Sequence, residues 1–276
     1  MCKAFPNFCQ LIKKEKMLNY SIATYNDAEE SENRIHSDEM ATRFGFRGAL
    51  VAGVVIFGHA VYLPIRAHGL DWLSDNMAEI RFLKPAYDGE TLDITLEDHR
   101  SGTDTKCINP EGVLLTTMTS EKGAAEPDPV HDLLPADKPV VREHIDWDNL
   151  ILNKPAPAYL WRAHNKSNRD LAEQLRDDLD IYQGPEACVH PFWMLRQCNS
   201  AFSRSFILPA WIHVGSKINF HQPLMVGQDI EVRMTPISKW KRKGHQFTTL
   251  AIGFLVGGEL FVEVEHTSIF KIAPPL

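Results

Sequence analysis

The chain contains RFLKPAYDGETLDI at residues 81–94 and, 138 positions further on, NFHQPLMVGQDIEV at residues 219–232. Both segments follow the pattern F-x-x-P-x-x-x-G-x-x-[L/I], and each shared residue is displaced by the same interval. The matching pairs are Phe82 and Phe220, Pro85 and Pro223, Gly89 and Gly227, and Leu92 and Ile230. One P-x-x-x-G match would indicate only a turn, but four positions in phase at a fixed period indicate an internal repeat. We therefore predict that the chain is a duplicated unit.

The same interval aligns two apolar segments, GALVAGVVIFGHAVYLPIR at residues 48–66 and EACVHPFWMLRQCNSAFSR at residues 186–204. Their apolar positions cover most of the circumference of a helix, which is typical of a helix buried on nearly all sides. Runs rich in β-branched and aromatic residues, separated by turn signals, follow each segment. These runs lie at 76–83, 90–98, 103–108 and 113–120 in the first half, and at 211–220, 228–239, 245–256 and 259–272 in the second. Each half therefore predicts an α+β unit with one buried helix and an antiparallel sheet.

A polar stretch with several prolines separates the two halves. Its prolines, which favour an extended connection, are Pro127, Pro129, Pro135 and Pro139. We therefore predict four regions: a leader at residues 1–18, an N-terminal unit at 19–122, a linker at 123–150 and a C-terminal unit at 151–276. Because Met17 stands just before the first strand-like stretch, the leader is either a flexible extension or a start assigned too early.

The composition is that of an ordinary globular protein, with 44% hydrophobic and 24% charged residues. A formal net charge of -7 argues against a nucleic acid partner, because binding to phosphates depends on clustered Lys and Arg. The five cysteines form no CxxC pair, which favours free thiols in a reducing compartment. No apolar run reaches the roughly 18 residues of a membrane span, and the N-terminal lysines follow their apolar run, unlike those of a secretion signal. We therefore expect a soluble, cytoplasmic protein.

Residues 31–59, SENRIHSDEMATRFGFRGALVAGVVIFGH, resemble the hydratase 2 motif of MaoC-like (R)-specific enoyl-CoA hydratases and dehydratases. That motif runs D-x-N-P-[LIV]-H-x-D and continues through an Ala, a Gly-Phe pair and an IAHG-like helix start. The matching residues are Asn33, Ile35, His36, Asp38, Ala41, Gly45, Phe46 and Gly53. RFLKPAYDGETL is similar to the family's downstream strand, and the second half adds PAWIHVGSKINFHQPLMVGQDIEV and KGHQF. The resemblance covers residues 19–122 and 186–272.

This resemblance implies a double hotdog fold, in which two curved antiparallel sheets each wrap around a central helix. It also implies an acyl thioester ligand, carried either on coenzyme A or on an acyl carrier protein. Three positions depart from the family pattern. Ser31 stands where the family has its catalytic Asp, and Arg34 stands at the motif's Pro. Ala52 stands at the histidine of the helix start, and the residue 138 positions further on is His190.

Hydration of an enoyl thioester needs a base for water, a proton donor for the α-carbon and donors for the thioester oxygen. The motif makes His36 the candidate base, while Asn33 could hold its ring or the water. With Ser31 at the position of the acid, the proton must come from His36 itself or from a neighbouring glutamate, Glu30 or Glu32. Backbone N–H groups at the start of the buried helix, above all that of Gly53, are candidates for the oxyanion hole.

Further candidates for substrate binding lie in both halves. His190 and Ala52 stand at corresponding helix starts, and His190 either contacts the ligand or simply begins its helix. Because His36 corresponds to Gln174 under the same shift, we expect one site and not two.

The basic segment KWKRKGH at residues 239–245 offers candidates for docking the nucleotide end of an acyl-CoA, namely Trp240, Arg242 and Lys243. Such a run is more often a solvated hairpin turn. His213, His221, His245 and His266 are not at metal-ligand spacing, so we interpret them as structural and predict no metal.

The favoured function is a hydratase or dehydratase that acts on an acyl thioester without a cofactor. A non-catalytic protein that binds acyl thioesters is the main alternative, because the motif's Asp is missing. A thioesterase is less favoured, because such hotdog enzymes commonly place an acid on or beside the central helix and neither 49–66 nor 187–204 contains one. We expect no nucleic acid or membrane partner, and either a monomer or a homodimer.

Overall fold

The computed structural model describes residues 16–123 and 141–274. The helices are α1 (Asp38–Arg43), α2 (Gly53–His68), α3 (Asn165–Leu175) and α4 (Pro191–Ser205). The strands of the first half are β1 (Lys16–Ala23), β2 (Asn76–Phe82), β3 (Thr91–His99), β4 (Gly102–Ile108) and β5 (Leu114–Lys122). Those of the second half are β6 (Glu143–His144), β7 (Tyr159–Trp161), β8 (Phe206–Ile207), β9 (Ile212–Phe220), β10 (Ile230–Arg242), β11 (His245–Val256) and β12 (Glu259–Lys271). β1 begins within the stretch predicted as leader, while residues 1–15 and most of the predicted linker, residues 124–140, lie outside the described residues.

Ten strands form one antiparallel sheet in the order β1-β3-β4-β5-β2-β9-β12-β11-β10-β7, and β6 and β8 form a separate parallel pair. The order is symmetrical about the junction between β2 and β9. On either side of that junction β5 corresponds to β12, β4 to β11, β3 to β10 and β1 to β7. The predicted α+β double hotdog fold is confirmed.

Hydrogen bonds ahead of the two central helices repeat at the interval seen in the sequence. Val51 N donates to Ala86 O at 2.9 Å, and Val189 N donates to Leu224 O at 2.8 Å. Donor and acceptor in the second bond each lie 138 positions after those in the first. The repeat of F-x-x-P-x-x-x-G therefore corresponds to a repeat of backbone geometry.

Helices α2 and α4 pack against each other beneath the sheet. In α2 every side chain from Val54 to Ile65 is buried, as its apolar circumference predicts. Burying a large aliphatic or aromatic side chain contributes about 1.5–3 kcal/mol, so this helix is held by its surroundings more than by its own hydrogen bonds. The residues that precede the two helices have the same extended backbone, with φ -62° and ψ 133° at Ala52 and φ -62° and ψ 132° at His190.

Strand β9 contains one extra residue relative to β12. Thr267 pairs with Gly215 and the next residue, Ser268, pairs with His213, so Val214 is bulged out of the register. A bulge reverses the alternation of side chains beyond it. His213 and Ser216 therefore both face the interior, where both are buried.

Among the described residues, no helix is long and apolar enough to cross a membrane. Cys107, Cys188 and Cys198 are buried free thiols. Burial raises the pKa of Cys107 and Cys188 to about 12, so both stay protonated and pack as small apolar groups.

Gly215→Ala tests the junction between the two halves. A Cβ at this position would lie 2.7 Å from the backbone oxygen of Ile80 on β2, and a backbone atom cannot rotate away. We expect the substitution to lower the free energy of unfolding by about 1–3 kcal/mol in urea denaturation. Lys217→Ala, on the same strand with an exposed side chain, is the matched control and should change it by less than about 0.5 kcal/mol. Equal midpoints for the two variants would contradict the tight fit.

Candidate active site

A cavity of about 210 Å³ lies between the two halves at the N-terminal end of α2. Both halves line it, mostly with apolar side chains such as Ile35, Phe46, Ile56, Phe82 and Trp211. Four of the site residues proposed from the sequence also line it, namely Asn33, His36, Ala52 and Gly53. No Asp or Glu is among the described lining residues. The structure thus brings the imidazole and the helix start together in one largely apolar space.

The ring of His36 is held by one strong hydrogen bond. Its Nδ1 lies 2.7 Å from the backbone oxygen of Leu50. A carbonyl oxygen only accepts, so Nδ1 carries the ring proton and the lone pair of the ring is on Nε2. Burial lowers the pKa of His36, although the bond to Leu50 offsets part of this effect. The ring is therefore neutral near pH 7 and could act as a base through Nε2.

The side chain of Asn33 connects the His36 loop to the second half. Trp211 N donates to Asn33 Oδ1 at 3.0 Å, and Asn33 Nδ2 donates to Trp211 O at 3.0 Å. Because the Trp211 N–H can only donate, it determines which end of the amide is oxygen. The second hydrogen of Nδ2 is then available to His36 Nε2, which lies 3.3 Å away. Asn33 therefore orients the His36 ring and links the two halves of the chain.

Two further hydrogen bonds hold the loop that carries His36. Asn26 Nδ2 donates to the backbone oxygen of His36 at 2.9 Å. Ala49 N donates to Asp38 Oδ1 at 2.7 Å, which links α1 to the segment leading into α2. Asp38 thus has a structural task in this loop, and it is absent from the cavity lining.

The first turn of α2 offers two backbone donors. The N–H groups of Gly53 and Val54 donate to no acceptor in the described part of the chain, whereas Val55 N already donates to Ala52 O at 2.9 Å. A Cβ at Gly53 would lie 3.2 Å from the ring of Phe82 and 3.3 Å from His213 Nδ1, so a larger residue would crowd this corner. The free donors and the positive end of the helix dipole suit a ligand oxygen that gains negative charge.

Ser31 and His190 do not reach the cavity. The hydroxyl of Ser31 donates to Asn33 O at 3.2 Å within its own turn. His190 is fully buried at the start of α4, where its Nδ1 accepts from Phe192 N at 3.1 Å and its Nε2 lies 3.3 Å from Asp177 Oδ2. Of the two open interpretations of His190, its geometry matches the start of a helix.

Trp240 and Arg242 line a groove of about 470 Å³ next to the cavity. The cavity and the groove share three lining residues, Phe82, Leu83 and Val214. The Trp240 ring stacks on Phe247 with centroids 5.2 Å apart and planes inclined by 9°. Lys243 is at the tip of the β10–β11 hairpin with φ 48° and does not line the groove.

The sequence analysis missed four polar residues of the cavity lining, namely Lys84, Thr116, Asn199 and His213. His213, interpreted there as structural, lies beside Gly53, and its ring contacts Phe82 edge-on with centroids 4.8 Å apart. Asn199, on α4, lines the cavity with an Oδ1 that has no partner among the described residues. His213 falls within a segment that resembles the family, but the bulge at Val214 that turns it inward leaves no mark in the sequence.

In the described ranges, no group of three or more His, Cys, Asp or Glu side chains is arranged to hold a metal ion. His213 and His266 stack at 4.0 Å without a third ligand.

Solved structures share this fold. A protein provisionally described as a MaoC-domain dehydratase from Chloroflexus aurantiacus aligns over 92% of this chain and 95% of its own, with a TM-score of 0.66 and 10% identity. A conserved protein of unassigned function with a double hotdog fold, from Mycobacterium tuberculosis, aligns over 94% and 96%, with a TM-score of 0.66 and 13% identity. A protein provisionally described as an oleoyl thioesterase from Lactobacillus plantarum aligns over 95% and 99%, with a TM-score of 0.54 and 10% identity. No protein-family model and no curated protein matches the sequence.

Asn33→Asp tests the contact between Asn33 and the base. The carboxylate has the same shape and can still accept from Trp211 N, but it brings a negative charge to His36 Nε2. A neighbouring negative charge favours imidazolium, so we expect the pKa of His36 to rise above its lowered wild-type value in an NMR titration of the ring. Ser31→Ala, in the same loop, is the control and should leave it unchanged. An unchanged pKa in Asn33→Asp would show that the amide is not next to Nε2.

Proposed function

We propose that this protein is a hydratase or dehydratase that adds or removes water at the C2–C3 bond of an acyl thioester. One observation carries the proposal: a neutral imidazole with its lone pair on Nε2 lines the same apolar cavity as Gly53, whose N–H is free and is followed by the free N–H of Val54. These groups match a base and an oxyanion hole. The shared double hotdog fold supports the proposal as an analogy only.

In the hydration direction, the N–H groups of Gly53 and Val54 donate to the thioester oxygen. His36 Nε2 takes a proton from water while the water oxygen bonds to C3, and the electron pair of the double bond moves toward the thioester oxygen. The imidazolium then returns a proton to C2 as the carbonyl re-forms. Burial lowers the pKa of His36, which makes its protonated form a ready donor. One residue acting twice needs neither a carboxylate nor a cofactor.

The thioesterase alternative finds no support in the cavity, since no Asp or Glu lines it in the described residues. The lack of a lining carboxylate also keeps open the alternative of a non-catalytic binding protein, because no Asp or Glu in the described lining replaces the catalytic Asp of the motif. We place the reaction in cytoplasmic fatty acid metabolism, which is compatible with the buried free thiols.

His36→Ala tests the base. We expect the rate of crotonyl-CoA hydration, followed by the loss of enoyl absorbance, to fall by about 10²-fold or more, because a general base contributes that much. Ser31→Ala, in the same loop but outside the lining, should keep the rate. Melting temperatures report whether either variant loses its fold.

An unaltered rate in His36→Ala would remove the residue from the mechanism. If the wild-type protein turns over no enoyl thioester but binds butyryl-CoA, the non-catalytic alternative is favoured.

We further propose coenzyme A as the carrier, with its nucleotide end in the groove of Trp240 and Arg242. Because the groove and the cavity share three lining residues, a thioester in the cavity could extend its pantetheine arm into the groove. The stacked Trp240 and Phe247 offer an aromatic face to adenine, and Arg242 offers a fork of donors to phosphate. Lys243, at the hairpin tip, adds positive charge at the end of this path.

Arg242→Glu tests the groove. We expect it to raise KM for crotonyl-CoA by about 10-fold, with kcat unchanged, because one phosphate contact is lost and a repulsion is added. KM for crotonyl-pantetheine, which lacks the nucleotide, should not change. Lys241→Glu is the matched control: it makes the same charge change on the same strand, but its amine lies over the Trp147 ring at 4.5 Å. Equal effects of the two variants, or equal effects on both substrates, would contradict docking in the groove.

A further inference from the structure

Three buried polar side chains form a continuous chain behind the cavity. His213 Nε2 lies 2.9 Å from Ser216 Oγ, and Ser216 Oγ lies 3.1 Å from His266 Nδ1. The two imidazole rings stack with centroids 4.0 Å apart and planes inclined by 27°. All three residues are buried. Such a polar chain inside an apolar core costs desolvation free energy, so it calls for a physical explanation.

The cavity end of this chain is a ring nitrogen without a partner. His213 lines the cavity, and its Nδ1 has no hydrogen-bond partner in the described part of the chain. The same atom lies 3.3 Å from where a Cβ on Gly53 would be, and thus beside the first residue of α2, whose N–H is free. An unpaired buried nitrogen aimed at a cavity is a ready contact for a bound ligand.

Both rings are neutral. Burial lowers the pKa of His213 to about 3, and burial together with the neighbouring His213 holds the pKa of His266 well below its usual range. Each ring therefore carries one proton, and the serine hydroxyl carries one more. These three hydrogens can be arranged in two ways. Either His266 donates to Ser216 and Ser216 donates to His213, or His213 donates to Ser216 and Ser216 donates to His266.

The far end of the chain decides between these two directions. His266 Nε2 is buried and has no partner among the described residues. A buried N–H without an acceptor is rarer, and costlier, than an unpaired lone pair, and of these two rings only His213 lines the cavity, where a ligand can supply an acceptor. The His266 proton is therefore on Nδ1, where it is donated to Ser216. Ser216 in turn donates to His213 Nε2, which leaves the His213 proton on Nδ1, facing the cavity.

We propose that His213 is a catalytic residue whose Nδ1–H donates a hydrogen bond to the thioester oxygen, and that Ser216 and His266 are positioning residues that fix this tautomer. The inference rests on the proposed function. It adds a third donor to those of Gly53 and Val54, at the atom where negative charge develops. No proton leaves His213: the ring stabilises the charge while the proton transfers take place at His36.

Two variants distinguish the hydrogen-bond donor of His213 from the packing of its ring. His213→Phe keeps an aromatic ring and removes both nitrogens, so kcat for crotonyl-CoA hydration should fall by about 10²-fold with a smaller change in KM, as for loss of one oxyanion donor. His213→Asn places an amide donor near the former Nδ1 and should recover at least 10-fold of that loss. Recovery by Asn is not expected if the ring serves only packing.

Ser216→Ala tests the positioning role without altering His213. NMR of ¹⁵N-labelled histidines reports which ring nitrogen carries the proton, and we expect His213 to be protonated on Nδ1 in the wild-type protein and in a mixture of both forms in Ser216→Ala. The rate should fall in parallel with the Nδ1–H fraction. Ser268→Ala is the matched control, because this buried serine faces His213 across the strands and its hydroxyl bonds to neither ring.

A wild-type His213 protonated on Nε2, or an unchanged kcat in His213→Phe, would overturn the inference. Failure of the proposed function has a different signature, in which the wild-type protein binds butyryl-CoA without hydrating crotonyl-CoA. In that case the affinity of His213→Phe for butyryl-CoA still tests the donor, because loss of a hydrogen bond to the thioester oxygen should weaken binding by about 10-fold. Unchanged affinity would again overturn it.

Discussion

Backbone hydrogen bonds between β2 and β9 join the two half-sheets, with Ala78 opposite Ile218 and Arg81 opposite Gly215. Helix α2 is buried on nearly all sides, as predicted, whereas α4 buries only eight of its fifteen residues because polar side chains interrupt its apolar surface. Five strands cannot cover the apolar surface of either helix alone. Because the two halves share one sheet, α2 and α4 pack against each other. Each helix covers the apolar surface of the other that the strands leave exposed. The same junction brings the start of β9 against the start of α2. The cavity is therefore a consequence of pairing two halves and belongs to neither of them alone.

The duplication has produced two helix starts with opposite properties. Gly53 and Val54 begin α2 with two free N–H groups, while the corresponding residues of α4 are Pro191, which has no N–H, and Phe192, whose N–H donates to the His190 ring. The side chain that bonds to the backbone ahead of the helix also differs between the two halves. Asn168 Nδ2 donates to Cys188 O at 3.0 Å, as His36 Nδ1 does to Leu50 O, and it has no basic nitrogen to offer. The second start is thus sealed by its own side chains, whereas the first is open to the cavity.

The sequence predicted the fold well because the repeat and the apolar helices are properties of the pattern alone. It also predicted that His36 and Gly53 lie in one site, since a motif with a fixed spacing implies a loop of fixed length and conformation. It could not show that Ser31 turns away from the cavity, because a motif position does not give a side-chain direction. The linear shift paired His36 with Gln174, but α3 changes the local spacing, so that Asn168 takes the equivalent place. The inward turn of His213 depends on one bulged residue, and alternation in the sequence carries no trace of it.

The electrostatic character of the cavity follows from these details. No carboxylate lines it in the described residues, and its two imidazoles are kept neutral by burial, so the space has no negative charge to repel a developing oxyanion. Its backbone and ring donors lie near the start of α2, and the lone pair of His36 Nε2 is on the loop that precedes this helix. A ligand that is neutral at its reacting end, and that gains negative charge on a single oxygen, would pay little desolvation cost on entry and would be stabilised most as it reacts. A thioester conjugated to a double bond has both properties, whereas a free carboxylate would bring its charge into an apolar space before any bond changed.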